Sequence, residues 1–443
     1  MANTLERSTS GPGSEGKQAI RCTSQLQAYL KATVSKLVEK VIYNQMLVFI
    51  NERDIIPKHQ HGFRAGHSTD TALANIFSNV ASALDKKHKV TLLAFDYSSA
   101  FDCMSKEVME SKLGWMDPLA RSLLMNYMSE RSQRVIFNSA TSKVLKIDYG
   151  MPQGSILAPL MFIILTGDLP HKISEKVNPR TSSAACLYAD DTSAYIASRT
   201  WEENEIAQRA MTESLVDYSY SNELSLNTGK TQRLDIGGKA STEDINLLGV
   251  SIDKAGGFTK HHENIHKDIR RRLGVVRNLA CHIPRGKLLS EISKSLIIGR
   301  VQCNAFITRP ARLAPMQPSA RGPTQVLLND LSRVLIGVTR ADRLKTEDLL
   351  DRAQIPSLNQ IVVRQSALNA WRAVHEGATS ELLVPHVVGR GAENNLRSPV
   401  SQRCTASSNM SLVWNSSPEL RQAKTIREAR AVARKIGESA RHM

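Results

Sequence analysis

Paired cysteines, long apolar runs and acidic charge are what this 443-residue sequence is short of. Each shortage excludes something. The six cysteines, at positions 22, 103, 186, 281, 303 and 404, include no Cys-x-x-Cys pair and no neighbouring His pair at finger spacing, which argues against a zinc site. Scattered single thiols fit a reducing compartment, so cytoplasm and nucleus are the expected locations. No apolar run reaches the roughly 18 residues that a membrane span needs. The longest candidates, Leu157 to Leu165 and Leu288 to Ile298, carry polar or helix-breaking residues. The first 25 residues are polar, with Gly11, Gly13 and Gly16, and lack the pattern of a secretory leader. Acidic residues number 42 against 58 basic ones, a net charge of +16. That imbalance favours an anionic polymer as partner, while the short apolar runs lead to the expectation of no membrane. A basic soluble protein without such a partner is the plainer alternative.

What is present is a conspicuous set of carboxylates. Tyr188-Ala189-Asp190-Asp191 lies between two apolar runs, Ala184 to Leu187 and Ala194 to Ala197. This layout predicts a tight β-hairpin with two adjacent carboxylates at its tip. Neighbouring carboxylates repel unless a cation neutralises them, and hard oxygen ligands on a rigid turn suit Mg²⁺. A third carboxylate, Asp96, ends another strand candidate, Val90 to Phe95. Two such clusters at strand ends could hold two metal ions about 3.5–4 Å apart, the arrangement of in-line phosphoryl transfer. The competing reading is a polar hairpin turn, since Asp is common in turns.

Around these residues the pattern alternates between helix and strand. Gln25 to Asn51 has apolar residues at spacings of three and four, from Leu30 through Val34, Leu37, Val38, Val41, Ile42 and Met46 to Ile50, and predicts a long helix. A polar loop covers 54 to 68, and a helix follows to about Lys86, capped by Ser68 or Thr69. Residues 105 to 130 read as helical with a break near Gly114 and Pro118. Arg134 to Asn138 and Lys143 to Asp148 read as a strand pair around a turn at 139 to 142. Gly150 to Ser155 is a loop opening an apolar helix from Ile156 to Asp168. A helix runs from Trp201 to Ser221, strands from Thr231 to Ile236 and Ile245 to Asp253, and mostly basic helices from 260 onward. The domain plan is 1–24 disordered, 25–258 as a first domain, 259–308 as a helical one, 309–324 as a proline-rich linker and 325–443 as a helical C-terminal region. His261-His262 with His266 reads as a basic turn before a helix, with a metal cluster as the alternative.

Several of these blocks, in this order, resemble the reverse transcriptase of jockey-like non-LTR retrotransposons. The matching stretch runs from about Lys36 to Asp253, and Ile355-Pro356-Ser357-Leu358 and Val413-Trp414-Asn415-Ser416 resemble that group's tail. The resemblance implies an α+β right-hand polymerase with an antiparallel palm sheet, partial fingers and a helical thumb. By resemblance Phe95-Asp96-Tyr97-Ser98-Ser99-Ala100-Phe101-Asp102 is the first catalytic block. It makes Asp96 a metal ligand, Tyr97 a carbonyl ligand and Phe101 the ring that blocks a ribose 2′-OH. A core aromatic is the alternative for Phe101, and Asp102 reads as a structural carboxylate. Tyr188-Ala189-Asp190-Asp191 resembles the second catalytic block, so that Asp190 joins Asp96 in holding two Mg²⁺ ions, with Mn²⁺ as a substitute, and Asp191 helps less directly.

Gly150-Met151-Pro152-Gln153-Gly154-Ser155 resembles the block over the incoming nucleotide. Gln153 would bond along nucleotide or template, and Gly154 would let backbone approach the base pair. A simple turn with a helix cap is the alternative. His61 to Thr69 resembles the fingers motif, in which Arg64 would pair with the triphosphate; a solvated loop arginine is the alternative. Leu224 to Thr231 resembles the loop whose lysine, here Lys230, protonates leaving pyrophosphate, with a surface lysine as the other reading. Leu247-Leu248-Gly249-Val250 resembles the primer grip. Arg131 and Arg134 would touch template or primer backbone or belong to an ordinary charged loop. The basic run 267–272 would neutralise duplex phosphates or form a solvated helix face.

The resemblance implies RNA-directed DNA synthesis with an RNA template, a DNA primer 3′ end and deoxynucleoside triphosphates as partners. It departs from the family at the front: an upstream endonuclease and the Arg-Pro-Ile fingers strand are not matched, so an N-terminally truncated copy is expected. Two alternatives stay open: a catalytically silent remnant that at most binds RNA, and another reverse transcriptase such as a group II intron type.

Overall fold

A computed structural model describes residues 33–137, 140–152, 154–236, 238, 244–303, 305, 322–376 and 405–440. The expectations for 1–24, for 25–32 and for Gln153 lie outside the described residues. The chain divides into two compact units, Met1–Arg53 with Phe101–Leu165, and Asp54–Ala100 with Thr166–Met443.

In the first unit the Thr33–Glu52 helix buries Glu39, Met46 and Ile50 on one face. Val34, Leu37, Val38, Val41 and Val48 remain exposed, so its apolar repeat is only partly used. Phe49 stacks on Trp115 with ring centroids 5.5 Å apart. The expected break near Gly114 and Pro118 separates helices Lys106–Lys112 and Pro118–Met128. Asp117 caps the second through Leu119 N and Ala120 N, and Pro118 takes the first helical position, where no N–H is needed. The strand pair expected over 134–138 and 143–148 is replaced by two shorter ones: Arg131–Gln133 pairs with Leu145–Ile147, and Ile136–Phe137 with Ala140–Thr141. Phe137 stands opposite Ala140, so Ala140 and Thr141 pair instead of turning. The apolar helix runs Ala158–Leu165 and is almost wholly buried, shorter than the expected 156–168.

The second unit is built on a four-stranded antiparallel sheet. In spatial order its strands are Ser182–Tyr188, Asp191–Ser198, Lys89–Phe95 and Gln232–Ile236. The Lys89–Phe95 strand lies inside the sheet, and its side chains are covered on both faces, which explains a nearly continuous apolar run rather than strict alternation. Val90 and Leu92 join the Thr69–Asp85 helix in one core. On the opposite face Thr91 accepts from Asn204 Nδ2 of the Trp201–Ser221 helix and donates to the buried Asp235. Both helices carry capping boxes, Ser68 with Thr71 and Thr200 with Glu203. This is the α+β palm with an antiparallel sheet that the sequence leads one to expect.

The long Thr259–His282 helix buries Ile265, Ile269, Leu273 and Val276 against Leu327, Leu328, Leu331 and Leu335 of the Pro323–Ile336 helix. Pro323, expected in a linker, is the first residue of that helix. The Leu358–His375 helix supplies Ile361 and Val362 to this core and Val363, Ala367, Ala370 and Trp371 to the core under the sheet. Met410, Val413 and Trp414 pack into the latter. The C-terminal helices thus share a core with the Thr69–Asp85 helix that carries the sheet.

Candidate active site

Strand register assembles the charged residues. Lys89–Phe95 pairs with Asp191–Ser198 so that Phe95 faces Thr192, and with Gln232–Ile236 so that Ala94 faces Gln232. Carried one position further, the first register sets Asp96 opposite Asp191; the second ladder ends at Gln232, and the chain loops so that Leu226 bridges Tyr97. Tyr188 pairs with Asp191 across a two-residue turn, Ala189-Asp190, which places Asp190 at the tip. Asn227 N donates to Asp96 O and Ser98 N to Ser225 O, both at 2.8 Å, so the loop leading to Lys230 is sewn onto the strand end. Lys230 follows in a single turn of 3₁₀ helix, Thr228–Lys230. Its Nζ stands 3.1 Å from Asp96 Oδ2. Four residues singled out in the sequence, Asp96, Asp190, Asp191 and Lys230, are therefore neighbours.

Charge crowding is visible in the protonation of Asp191. Burial raises its carboxyl above the ordinary value, and the Asp190 and Asp96 charges raise it further. Tyr97 turns its ring inward, and burial pushes its hydroxyl up to about 12. Its backbone forms a bridge with Leu226.

The loop before the first helix of this unit backs the hairpin. Leu187 N donates to His59 O and His61 N to Leu187 O, both at 2.8 Å, so Gln60 adds a strand-like bridge to the hairpin edge. Gln60, to which no sequence motif gives a role, is fully buried, and its Oε1 accepts from Gly62 N (2.7 Å) and Ala189 N (3.1 Å). Its only signal in the sequence is its place just before His61. Arg64 donates from Nη1 to Pro57 O (3.0 Å) and Gln60 O (3.2 Å), so its guanidinium holds the loop's own turn. Burial lowers its pKa, partly offset by Asp54. His61 is pulled down to about 3, first by burial and then by His67, Arg64 and His59, and stays neutral against Thr71 Oγ1 at 2.9 Å.

The first unit carries the other expected residues. Phe101 lies against Phe162 with centroids 4.9 Å apart, and its carbonyl accepts from Met151 N at 3.1 Å. Gly150 has φ 76°, and a Cβ there would lie 2.8 Å from Asp102 O, so the loop and the Phe101-Asp102 segment touch backbone to backbone. Gly154 also has a positive φ, 82°, but a Cβ on it would meet nothing within 4 Å. Its conformation, not close contact, is what calls for glycine here. Arg131 donates to the carbonyls of Met128, Tyr149 and Gly150, which makes it a brace of this loop. Arg134 is exposed. A second residue without a sequence signal is Glu39: buried, it accepts from Ser155 Oγ (3.0 Å) and Ile156 N (2.6 Å) ahead of the Ala158–Leu165 helix.

The carboxylate set suits a hard cation in donor type and charge. Asp96 Oδ2 is buried, accepts no well-aligned hydrogen bond from the described residues and is met by the Lys230 ammonium. Among the described residues, however, no three metal-ligating side chains are grouped tightly enough to form a ready-made metal site. The His261–His262–His266 stretch forms no such group either; these rings lie along the start of the Thr259–His282 helix. No helix among the described residues is long and apolar enough to cross a membrane.

Residues 16–252, more than half of the chain, match the family model described as reverse transcriptase (RNA-dependent DNA polymerase). The chain belongs to the reverse transcriptase family. Among curated relatives, the RNA-directed DNA polymerase from mobile element jockey of Drosophila funebris is 25% identical over 273 residues, covering 58% of this chain and 30% of the relative. The probable RNA-directed DNA polymerase from transposon BS of Drosophila melanogaster is 30% identical over 192 residues, 43% of this chain and 21% of the relative. The chain thus spans less than a third of the length of the curated relatives it matches. Among solved structures, apo telomerase from Candida tropicalis aligns with a TM-score of 0.43 at 9% identity, over 78% of this chain and 60% of that one, a likeness too loose to argue from. Reverse transcriptases generally use divalent metal ions, which fits the carboxylates gathered at the palm's strand ends.

Proposed function

We propose that the chain is the polymerase of a non-LTR retrotransposon and extends a DNA primer 3′ end on an RNA template from deoxynucleoside triphosphates. The observation that carries this is the register that sets Asp96 beside Asp191, with the Lys230 ammonium 3.1 Å from Asp96, in a member of the reverse transcriptase family. Asp96, Asp190 and Asp191, with the Tyr97 carbonyl, would hold two Mg²⁺ ions. When bound, these supply the Lewis acidity that activates the primer hydroxyl and stabilises the leaving pyrophosphate.

The remaining steps belong to the chain's own groups. Lys230, mostly exposed and therefore free to swing, can leave Asp96 and give a proton to pyrophosphate. Phe101, backed by Phe162, excludes a ribose 2′-OH by bulk. Gln153 and Gly154 would lie along the nucleotide. Arg64 would reach the triphosphate only by giving up its bonds to Pro57 O and Gln60 O. A net charge of +16 suits phosphate-rich partners and a working place in cytoplasm or nucleus.

One observation favours a second reading, a chain that binds nucleic acid without polymerising it: the lysine ammonium, rather than a closed ligand cage, neutralises Asp96. Primer extension on poly(rA) with oligo(dT), dTTP and Mg²⁺ separates the two. Extension that Asp190→Ala with Asp191→Ala abolishes establishes the polymerase. Binding of the primed template by folded protein without any extension establishes the second reading.

A further inference from the structure

The Tyr188-Ala189-Asp190-Asp191 turn cannot be explained by its own sequence. Ala189 adopts φ 57°, a left-handed conformation that favours glycine. A non-glycine residue persists there only when its surroundings impose it. The tight two-residue hairpin is one part of those surroundings, since its first turn residue takes φ > 0; the loop around Gln60 is the part that holds an alanine there. Gln60 Oε1 accepts from Ala189 N at 3.1 Å and from Gly62 N at 2.7 Å, and one side-chain oxygen thereby joins the turn to the loop. The two approach so closely that a Cβ on Gly62 would lie 2.3 Å from Ala189 N. The flanking bonds between Leu187 and both His59 and His61 fix the height of the loop along the hairpin.

The other end of the Gln60 amide sharpens the point. Nε2 is buried and meets no acceptor among the described residues. An unmet buried donor is unfavourable. A methionine of the same shape would avoid that loss, and what it could not do is accept from Ala189 N.

We propose that Gln60 is a positioning residue for the catalytic carboxylates: its Oε1 imposes the left-handed Ala189 and so fixes where Asp190 and Asp191 stand relative to Asp96. Its effect on turnover rests on the polymerase reading given above; its effect on the turn does not.

Two substitutions and two readouts test it on the full chain. Gln60→Met keeps the shape and removes the acceptor; Gln60→Glu keeps the acceptor. Hydrogen exchange by mass spectrometry reads the peptide across residues 187–192. Gln60→Met should exchange about three- to tenfold faster there, the loss of one net hydrogen bond, while Gln60→Glu stays near wild type. In primer extension Gln60→Met should lower kcat, raise the half-saturating Mg²⁺ concentration and leave primed-template binding unchanged. Wild-type exchange in Gln60→Met overturns the proposal, as does faster exchange with unchanged kcat and Mg²⁺ dependence. Faster exchange in a chain whose wild type never extends a primer keeps the turn assignment and removes the polymerase reading instead. If a thermal melt shows Gln60→Met unfolded, Gly62→Ala pushes on Ala189 from the same loop. It must then give the accelerated exchange, and an undisturbed hairpin in Gly62→Ala overturns the proposal.

Discussion

Replacing Lys230 by methionine isolates what the ammonium does at Asp96. The two charges lie 3.1 Å apart, with the lysine side chain 68% exposed and the aspartate 30%. In water, unit charges at that separation attract by roughly 1.3 kcal/mol. Solvent screening and the entropy of holding a long side chain reduce the net to about 0.5–1 kcal/mol. A divalent cation competes for the same carboxylate oxygen, so removing the lysine should tighten cation binding by that amount, about two- to fivefold. The fold should lose no more than about 1 kcal/mol, because the lysine end of the pair is largely solvated. Titrating Mn²⁺ into the free chain, followed by electron paramagnetic resonance, measures the affinity without nucleic acid, and Asp96→Asn provides the weakened control. Equal or weaker binding in Lys230→Met would refute the competition and leave the ion pair as a surface contact. Slower primer extension despite tighter cation binding is the expected companion result, since the proposed proton donor to pyrophosphate is gone.

The other predictions concern the turn, the loop, the gate and the core. Burial, Asp190 and Asp96 hold the Asp191 carboxyl above its ordinary value, so its ionisation opposes folding. That penalty is absent below the unfolded value near pH 4, grows as pH rises and is complete once pH exceeds the folded value. Asp191→Asn should therefore melt above wild type at pH 7 and together with it near pH 3; a difference independent of pH refutes the assignment. Gly150→Ala combines a positive φ with a Cβ only 2.8 Å from Asp102 O, and chemical denaturation should show a loss of about 2–3 kcal/mol. Phe101→Val should admit ribonucleotides in primer extension, while an unchanged preference for deoxynucleotides would return Phe101 to the core. Burial pushes the Cys186 thiol up to about 12, whereas Cys281 is exposed. Thiol labelling at pH 8 should modify Cys281 quickly and Cys186 only on unfolding.

The fold was legible where a local pattern and a tertiary demand coincide. Val90 to Phe95 reads as a strand because it is apolar on both faces, and it lies covered on both faces. Ser68 is a cap residue by chemistry and acts as a cap. Legibility failed where a partner distant in sequence decided the outcome. Pro323 looks like a linker residue beside other prolines, yet a first helical position accepts proline equally well. The Thr33–Glu52 helix shows the apolar repeat of a buried helix and leaves five of its aliphatic residues exposed.

By itself the sequence determined the family and the roster of carboxylates, because residue type and order along the chain suffice for both. It could not rank the roster. That Asp96 falls between Asp191 and Lys230 follows from one strand register, set by packing over a long sequence separation, and from the 225–230 loop bonded to the strand end. That Arg64 and Arg131 are tied to carbonyls, while Gln60 reaches the catalytic turn, follows from which loops pack together. A guanidinium or an amide reads the same in a sequence whether it faces a phosphate or the protein's own backbone. Burial alone distinguishes the two, and burial belongs to the tertiary structure.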